Sequence, residues 1–227
     1  MKTVDRVGAF SGAAYVLLAN LSGVLVGVGP DTGVSPGQRI LDESQRIAEN
    51  PWTRVSLALV VLATMAFMMF VGYVCSRVRD SGWLATTALV GGIAAIMANL
   101  ASMTIVFTVA ALRDDLSPEV ARVLETADGA GHLAQLLSYG VFVLFASAGA
   151  LVTGVLGRVL SWAGMVIGAT SIVALAAYGL PASDEFVLWP FLLVILWMAG
   201  ISLRFGFARS REKGQPVRDT SSVEGAG

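Results

Sequence analysis

Six apolar stretches of 18 to 28 residues, none holding an Asp, Glu, Lys or Arg, run through this 227-residue chain. They are Val7–Val28, Val55–Ser76, Leu84–Ala111, His132–Leu156, Val159–Leu180 and Phe186–Leu203. About 20 helical residues cross the roughly 30 Å hydrocarbon core of a bilayer. Lipid offers no partner to a backbone amide, so each crossing segment must close its own hydrogen bonds as a helix. No stretch alternates in the way barrel strands do. Charged residues make up 14% of the chain, against roughly 25% in soluble domains, too few to coat a water-facing surface. The expected fold is therefore all-α and polytopic: one six-helix membrane domain over residues 1–205, then a short tail over 206–227.

Orientation is read from the connecting segments. The N-terminus, the second and fourth connections and the tail hold ten of the fifteen Lys and Arg and five of the sixteen acids. That face carries a net +5 and the other −6. Both termini are thus expected in the cytoplasm. Trp52, Trp83, Trp162 and Trp189 fall at span ends, where an amphipathic ring favours the headgroup region; Trp197 lies inside the last span and reads as a packing residue. The run after Lys2 and Arg6 is long for a signal peptide and lacks a small-x-small cleavage site, so it reads as a retained first helix.

The first and third connections carry helix signals. Ser35-Pro36 and Ser117-Pro118 each place an N-cap serine before a proline at the first helical position. Ile40, Leu41, Ile47 and Ala48 follow in one segment, and Leu116, Val120, Val123, Leu124 and Ala127 in the other. Two short amphipathic helices are expected on the outer face. In the tail, Arg204, Arg209, Arg211 and Lys213 suit anionic lipid headgroups, and nucleic acid is a poor partner for basic residues beside a membrane.

Many chemistries are excluded. Lys2 and Lys213 are the only lysines, and His132 and Cys75 the only histidine and cysteine. No Schiff base within the bilayer, bis-histidine haem or buried zinc site is expected, and no cofactor is implied. No His-Glu-x-x-His pair or Walker loop is present. The spans contain no carboxylate, the usual intramembrane relay for protons or cations. A membrane enzyme is the least supported class, with His132 and Tyr139 its only starting point.

What polar material the spans hold is neutral. His132, Gln135 and Tyr139 recur at i, i+3 and i+7 on one face of the fourth span, with Ser138 flanking it. Asn99 and Ser102 share a face of the third, and Tyr15 and Asn20 lie in the first. These groups either staple helices together or line a pocket in the outer half for a small apolar or neutral amphiphile. The ligand-binding candidates are His132, Gln135, Tyr139, Asn99 and Asn20. Gly8/Gly12, Gly23/Gly27 and Gly164/Gly168 have the spacing that lets helices approach closely, either within the chain or against a second copy or another membrane protein.

The segment Gly157-Arg158-Val159-Leu160-Ser161-Trp162-Ala163-Gly164, followed by Ile167-Gly168, resembles a group of small bacterial membrane proteins, the domain-of-unknown-function family numbered 4386. The opening Arg6-Val7-Gly8 with Tyr15 is similar too, although Gly157 stands where the family favours proline. The resemblance implies a six-span protein of the bacterial cytoplasmic membrane and supplies no activity. Thirteen arginines against two lysines fit a GC-rich bacterial genome.

Overall fold

The structure, a computed structural model, describes residues 3–26, 36–112, 114–177 and 183–208. Seven α-helices and one 3-10 turn make up its elements: α1 Thr3–Val26, α2 Pro36–Glu49, α3 Thr53–Arg77, the turn Arg79–Ser81, α4 Trp83–Leu112, α5 Pro118–Thr153, α6 Arg158–Ala177 and α7 Ser183–Ala208. All except α2 and the turn are long and apolar enough to cross a membrane, so the all-α, six-span plan holds. Their outward faces carry large apolar side chains such as Leu17, Val24, Met97 and Val166, which water would penalise and lipid accepts. Trp52, Trp83, Trp162 and Trp189 are exposed at the span ends, whereas Trp197 is buried.

The spans form a closed ring in the order α1, α3, α4, α5, α6, α7 and back to α1. Neighbours run antiparallel. Between α1 and α3, Gly8 faces Tyr73, Gly12 faces Phe70, and Ser22 pairs with Ser56. Between α1 and α7, Phe10 meets Phe207 and Gly12 meets Ser202. The two ends at which α1 begins and α7 finishes therefore share one face, here the terminal face. The opposite face carries α2.

Aromatic rings fill the middle of the ring of helices. Phe67 meets Tyr139 and Phe142, and Phe142 also meets Phe70 and Trp197, at centroid separations of 5.3 to 6.2 Å and near-perpendicular planes. Edge-to-face contact puts the positive rim of one ring on the negative face of the next.

The connection expected to be a second separate amphipathic helix is instead the first part of α5. This helix has 36 residues, about 54 Å at 1.5 Å per residue, and it projects past any bilayer on the α2 face. Its start is the one expected: Ser117 Oγ accepts from Val120 N at 3.4 Å, with Pro118 next. Gly129 and Gly131 do not interrupt it. A glycine costs about 1 kcal/mol against alanine within a helix, and packing against α4 offsets that cost at Gly131, where a Cβ would stand 3.8 Å from Ser102 Cβ. The buried stripe also differs from the expected one, since Ala121, Gln135, Leu136 and Tyr139 face inward while Val120 and Val123 are exposed. The stripe continues the phase of the span below it.

Helix α2 is separate, as expected, and crosses over the ends of α5, α4 and α3. Its half-buried side carries Ile40, Leu41 and Ile47 around buried Ser44; Ala48 is exposed. The cap expected from Ser35 lies outside the described residues. Arg46 NH1 donates to Val26 O at 2.9 Å and Asn50 Nδ2 to Leu25 O at 3.1 Å. Both acceptors belong to the last turn of α1, whose carbonyls have no partner within their own helix. Glu43 binds the Arg46 guanidinium and pushes its pKa further above the ordinary arginine value. Asn50→Ala should loosen this tie by about 1 kcal/mol. Amide exchange along α2 should then run roughly fivefold faster while α5 keeps its protection.

On the terminal face, Gly154 adopts the left-handed conformation at φ 70° and ends α5 at Thr153, three residues before the expected Leu156. The last span runs further than expected, to Ala208. Leu180 lies outside the described residues.

Candidate functional site

Tyr139 stands at the centre of a polar ladder that joins four helices. Its hydroxyl lies 2.6 Å from the Tyr15 hydroxyl of α1. Gln135, one turn along α5, donates from Nε2 to Tyr139 Oη at 3.0 Å and to Asn99 Oδ1 of α4 at 3.3 Å. Asn99 Nδ2 reaches Thr64 Oγ1 of α3 at 3.4 Å, and Thr64 itself donates to Val60 O. Gln135 and Tyr139 are buried. Each heteroatom taken from water there loses hydration, so mutual bonding is the way such groups remain tolerable.

A second cluster lies further toward the α2 face. Ser102 Oγ donates to Asp128 Oδ1. His132 Nδ1 sits 3.0 Å from the Asp128 carbonyl oxygen, 3.4 Å from Ser102 Oγ and 3.5 Å from Asp128 Oδ2. A carbonyl can only accept, so the first of these contacts places a proton on Nδ1. The imidazole is largely exposed and the Asp128 carboxylate largely covered, at 61% and 22% side-chain exposure.

Four of the five expected ligand-binding residues thus fall on one line, with His132 above and Gln135, Asn99 and Tyr139 below. Asn20 does not join them: its Nδ2 donates to Val16 O of its own helix at 2.7 Å. Sequence reading missed Asp128 as a site residue because it counted as a span-edge acid. Its i, i+4 spacing from His132 was the available signal, since it extends the stripe by one turn. Thr64 and the pairing of Tyr15 with Tyr139 had no local signal, because they are brought in from other helices.

Below Tyr139 the polar line stops. Phe142 and Val143 are fully buried at the next turn of α5. The next polar side chain on that face is Ser147, whose buried hydroxyl, like Trp197 Nε1 beside it, has no hydrogen-bond partner among the described residues. The ladder ends on aromatic rings, and no continuous polar path crosses the bundle among the described residues.

Beside the ladder a groove opens between α1 and α7. It has a volume of about 500 Å³ and is lined by Tyr15, Val16, Ala19, Asn20, Gly23, Val24, Phe191 and Ile195. Gly23 has no heavy atom within 4 Å of where a Cβ would stand, so the groove is open at that point. Tyr15 belongs both to this groove and to the ladder.

The described glycines of the helix-approach pairs are mostly used within the chain. Gly8 and Gly12 receive Tyr73, Phe70 and Ser202; Gly164 receives Ser147 and Trp197; Gly168 lies against the backbone of Gly140 and Leu144. Gly23 alone faces open space, and Gly27 lies outside the described residues. Of the expected headgroup-binding residues, Arg204 is exposed near the end of α7, and Arg209, Arg211 and Lys213 lie outside the described residues. Among the described residues no group of three metal-ligating side chains occurs. No family model, curated protein or solved structure matches this chain.

Proposed function

We propose that the protein binds, as carrier or sensor, a small neutral amphiphile that enters from the lipid through the α1–α7 groove and meets the Tyr15 hydroxyl. The observation that carries this reading is the double membership of Tyr15, in an apolar groove on one side and a buried hydrogen-bonded ladder on the other. Gln135 donates to Tyr139, so Tyr139 keeps its own proton for Tyr15. The proton of Tyr15 is then left for an acceptor in the groove, such as a carbonyl, ester or hydroxyl oxygen. Lining side chains are aliphatic or aromatic apart from Tyr15 and Asn20, which suits an apolar body with one polar end.

The charge asymmetry of the connections supports an orientation with the α2 face outside and both termini in the cytoplasm. The resemblance around Gly157–Gly168 adds a bacterial cytoplasmic membrane as the location. Capture of a ligand is favoured over open passage, since the ladder ends on Phe67 and Phe142. A partner-subunit role retains only Gly23 among the described glycines of the small-residue faces.

Native mass spectrometry of the protein released from lipid nanodiscs tests the proposal. Wild type should retain a neutral amphiphile. Gly23→Leu, which fills open space without a clash, should lose it. Tyr15→Phe should weaken retention roughly threefold to tenfold, the value of one neutral hydrogen bond. Undiminished retention in Gly23→Leu would overturn the groove as the site.

A further inference from the structure

The hairpin formed by α3, the 3-10 turn and α4 has a crevice on its outer side, at the terminal face and away from the ladder. Eight residues line it in two matched sets: Gly72, Cys75 and Ser76 of α3 with Arg79 of the turn, and Gly82, between the turn and α4, with Ala85, Thr86 and Leu89 of α4. Both sets have the spacing i, i+3, i+4, i+7, so each presents one helical face to the crevice. The volume is about 340 Å³. Gly72 and Gly82 have no heavy atom within 4 Å of a built Cβ, and small residues on both walls keep the crevice open.

Polarity changes along its length. Gly72, Cys75 and Leu89 make the part nearer the bilayer centre apolar. Ser76, Thr86 and Arg79 bring two hydroxyls and a guanidinium to the end beside Trp83, an exposed ring at the headgroup level. Arg79 Nε lies 3.5 Å from Asp80 Oδ1, with both side chains about four-fifths exposed. Such a surface pair is weak and engages one edge of a fork of five donors. No carboxylate lines the crevice, and Arg77, Arg79 and Asp80 together leave the turn one positive charge.

We propose that this crevice is a binding site for one phospholipid of net negative charge, drawn from the leaflet on the terminal face. Arg79 holds the phosphate with support from the Thr86 hydroxyl, and an acyl chain lies along Gly72 and Leu89. A guanidinium suits phosphate because its planar donors match two oxygens at once, and basic pockets between spans on this side commonly take anionic headgroups. The site is independent of the α1–α7 groove and survives if that reading fails.

The test counts lipids on the full-length protein by native mass spectrometry, after titration in mild detergent with phosphatidylglycerol or with phosphatidylcholine. Wild type should hold one phosphatidylglycerol more tightly than the rest. Arg79→Gln should weaken that first step roughly tenfold, as loss of a charge-assisted bond does, and Arg79→Lys should restore part of it. Gly72→Leu keeps every charge and fills the apolar end, so it should weaken the same step to a similar degree. If Gly72→Leu binds like wild type, only diffuse attraction to basic residues remains and the site is disproved. Equal affinity for phosphatidylcholine would also overturn it. Both substituted side chains point away from the core, so unchanged thermal unfolding should accompany each loss.

Discussion

Replacing Gly168 by alanine is expected to lower stability by about 3 kcal/mol, the upper part of the range for overpacking. A Cβ at this position would stand 2.6 Å from Leu144 N, 2.7 Å from Gly140 O and 2.8 Å from Leu144 Cα. All three are backbone atoms of α5, which no rotamer change can move. The only relief is to push α6 off α5, and this separates Gly164 from Ser147 of α5 one turn away. Thermal unfolding in detergent, followed by size-exclusion of the surviving monomer, should show a midpoint lower by about 10 °C. Gly23→Ala is the matched control. It adds the same methyl group to open space and should stay within about 0.5 kcal/mol of wild type. Equal losses at the two positions would mean that the α5–α6 contact does not hold the ring closed.

Gln135→Leu should cost about 2 kcal/mol, because it strands a buried group on Tyr139 and a half-buried one on Asn99. Asn99 Oδ1 and Tyr139 Oη both accept from Gln135 Nε2, and leucine offers neither of them a donor. The double variant Gln135→Leu/Asn99→Leu should recover more than half of the loss. It removes an acceptor along with its donor and leaves an apolar contact in an already apolar bundle. Pairwise hydrogen bonds between spans average near 0.6 kcal/mol in such cycles, so a strongly non-additive result would arise from the stranded atoms more than from the bond itself. The same pair of variants separates the two readings of the ladder. A purely structural ladder predicts that the double variant regains stability and ligand retention together. A ladder that presents Tyr15 to a ligand predicts regained stability with retention still impaired, because Tyr139 has lost the donor that directs its proton to Tyr15.

Much of the architecture could be read from the linear chain. Six uncharged stretches near the bilayer's thickness permit few alternatives, since backbone amides in lipid must bond within their own segment. The i, i+3, i+7 recurrence of His132, Gln135 and Tyr139 likewise put two ladder residues and the histidine of the second cluster on one face before any packing was known. Ser117-Pro118 marked a true helix start, because a cap is a local matter of one side chain and the next three residues.

Tertiary structure decided the rest, for reasons that act across the chain. Helix α5 runs unbroken through Gly129 and Gly131, and α4 packs against it at Gly131, a stabilisation that local propensity does not contain. Asp128 joins Ser102, and Tyr15 joins Tyr139, only after helices distant in sequence close into a ring. The spacing of Gly164 and Gly168 signalled a close approach but could not say to what: a second copy and helix α5 present the same need for a missing Cβ. Periodicity determines which face of a helix is buried; only the folded ring determines what that face meets.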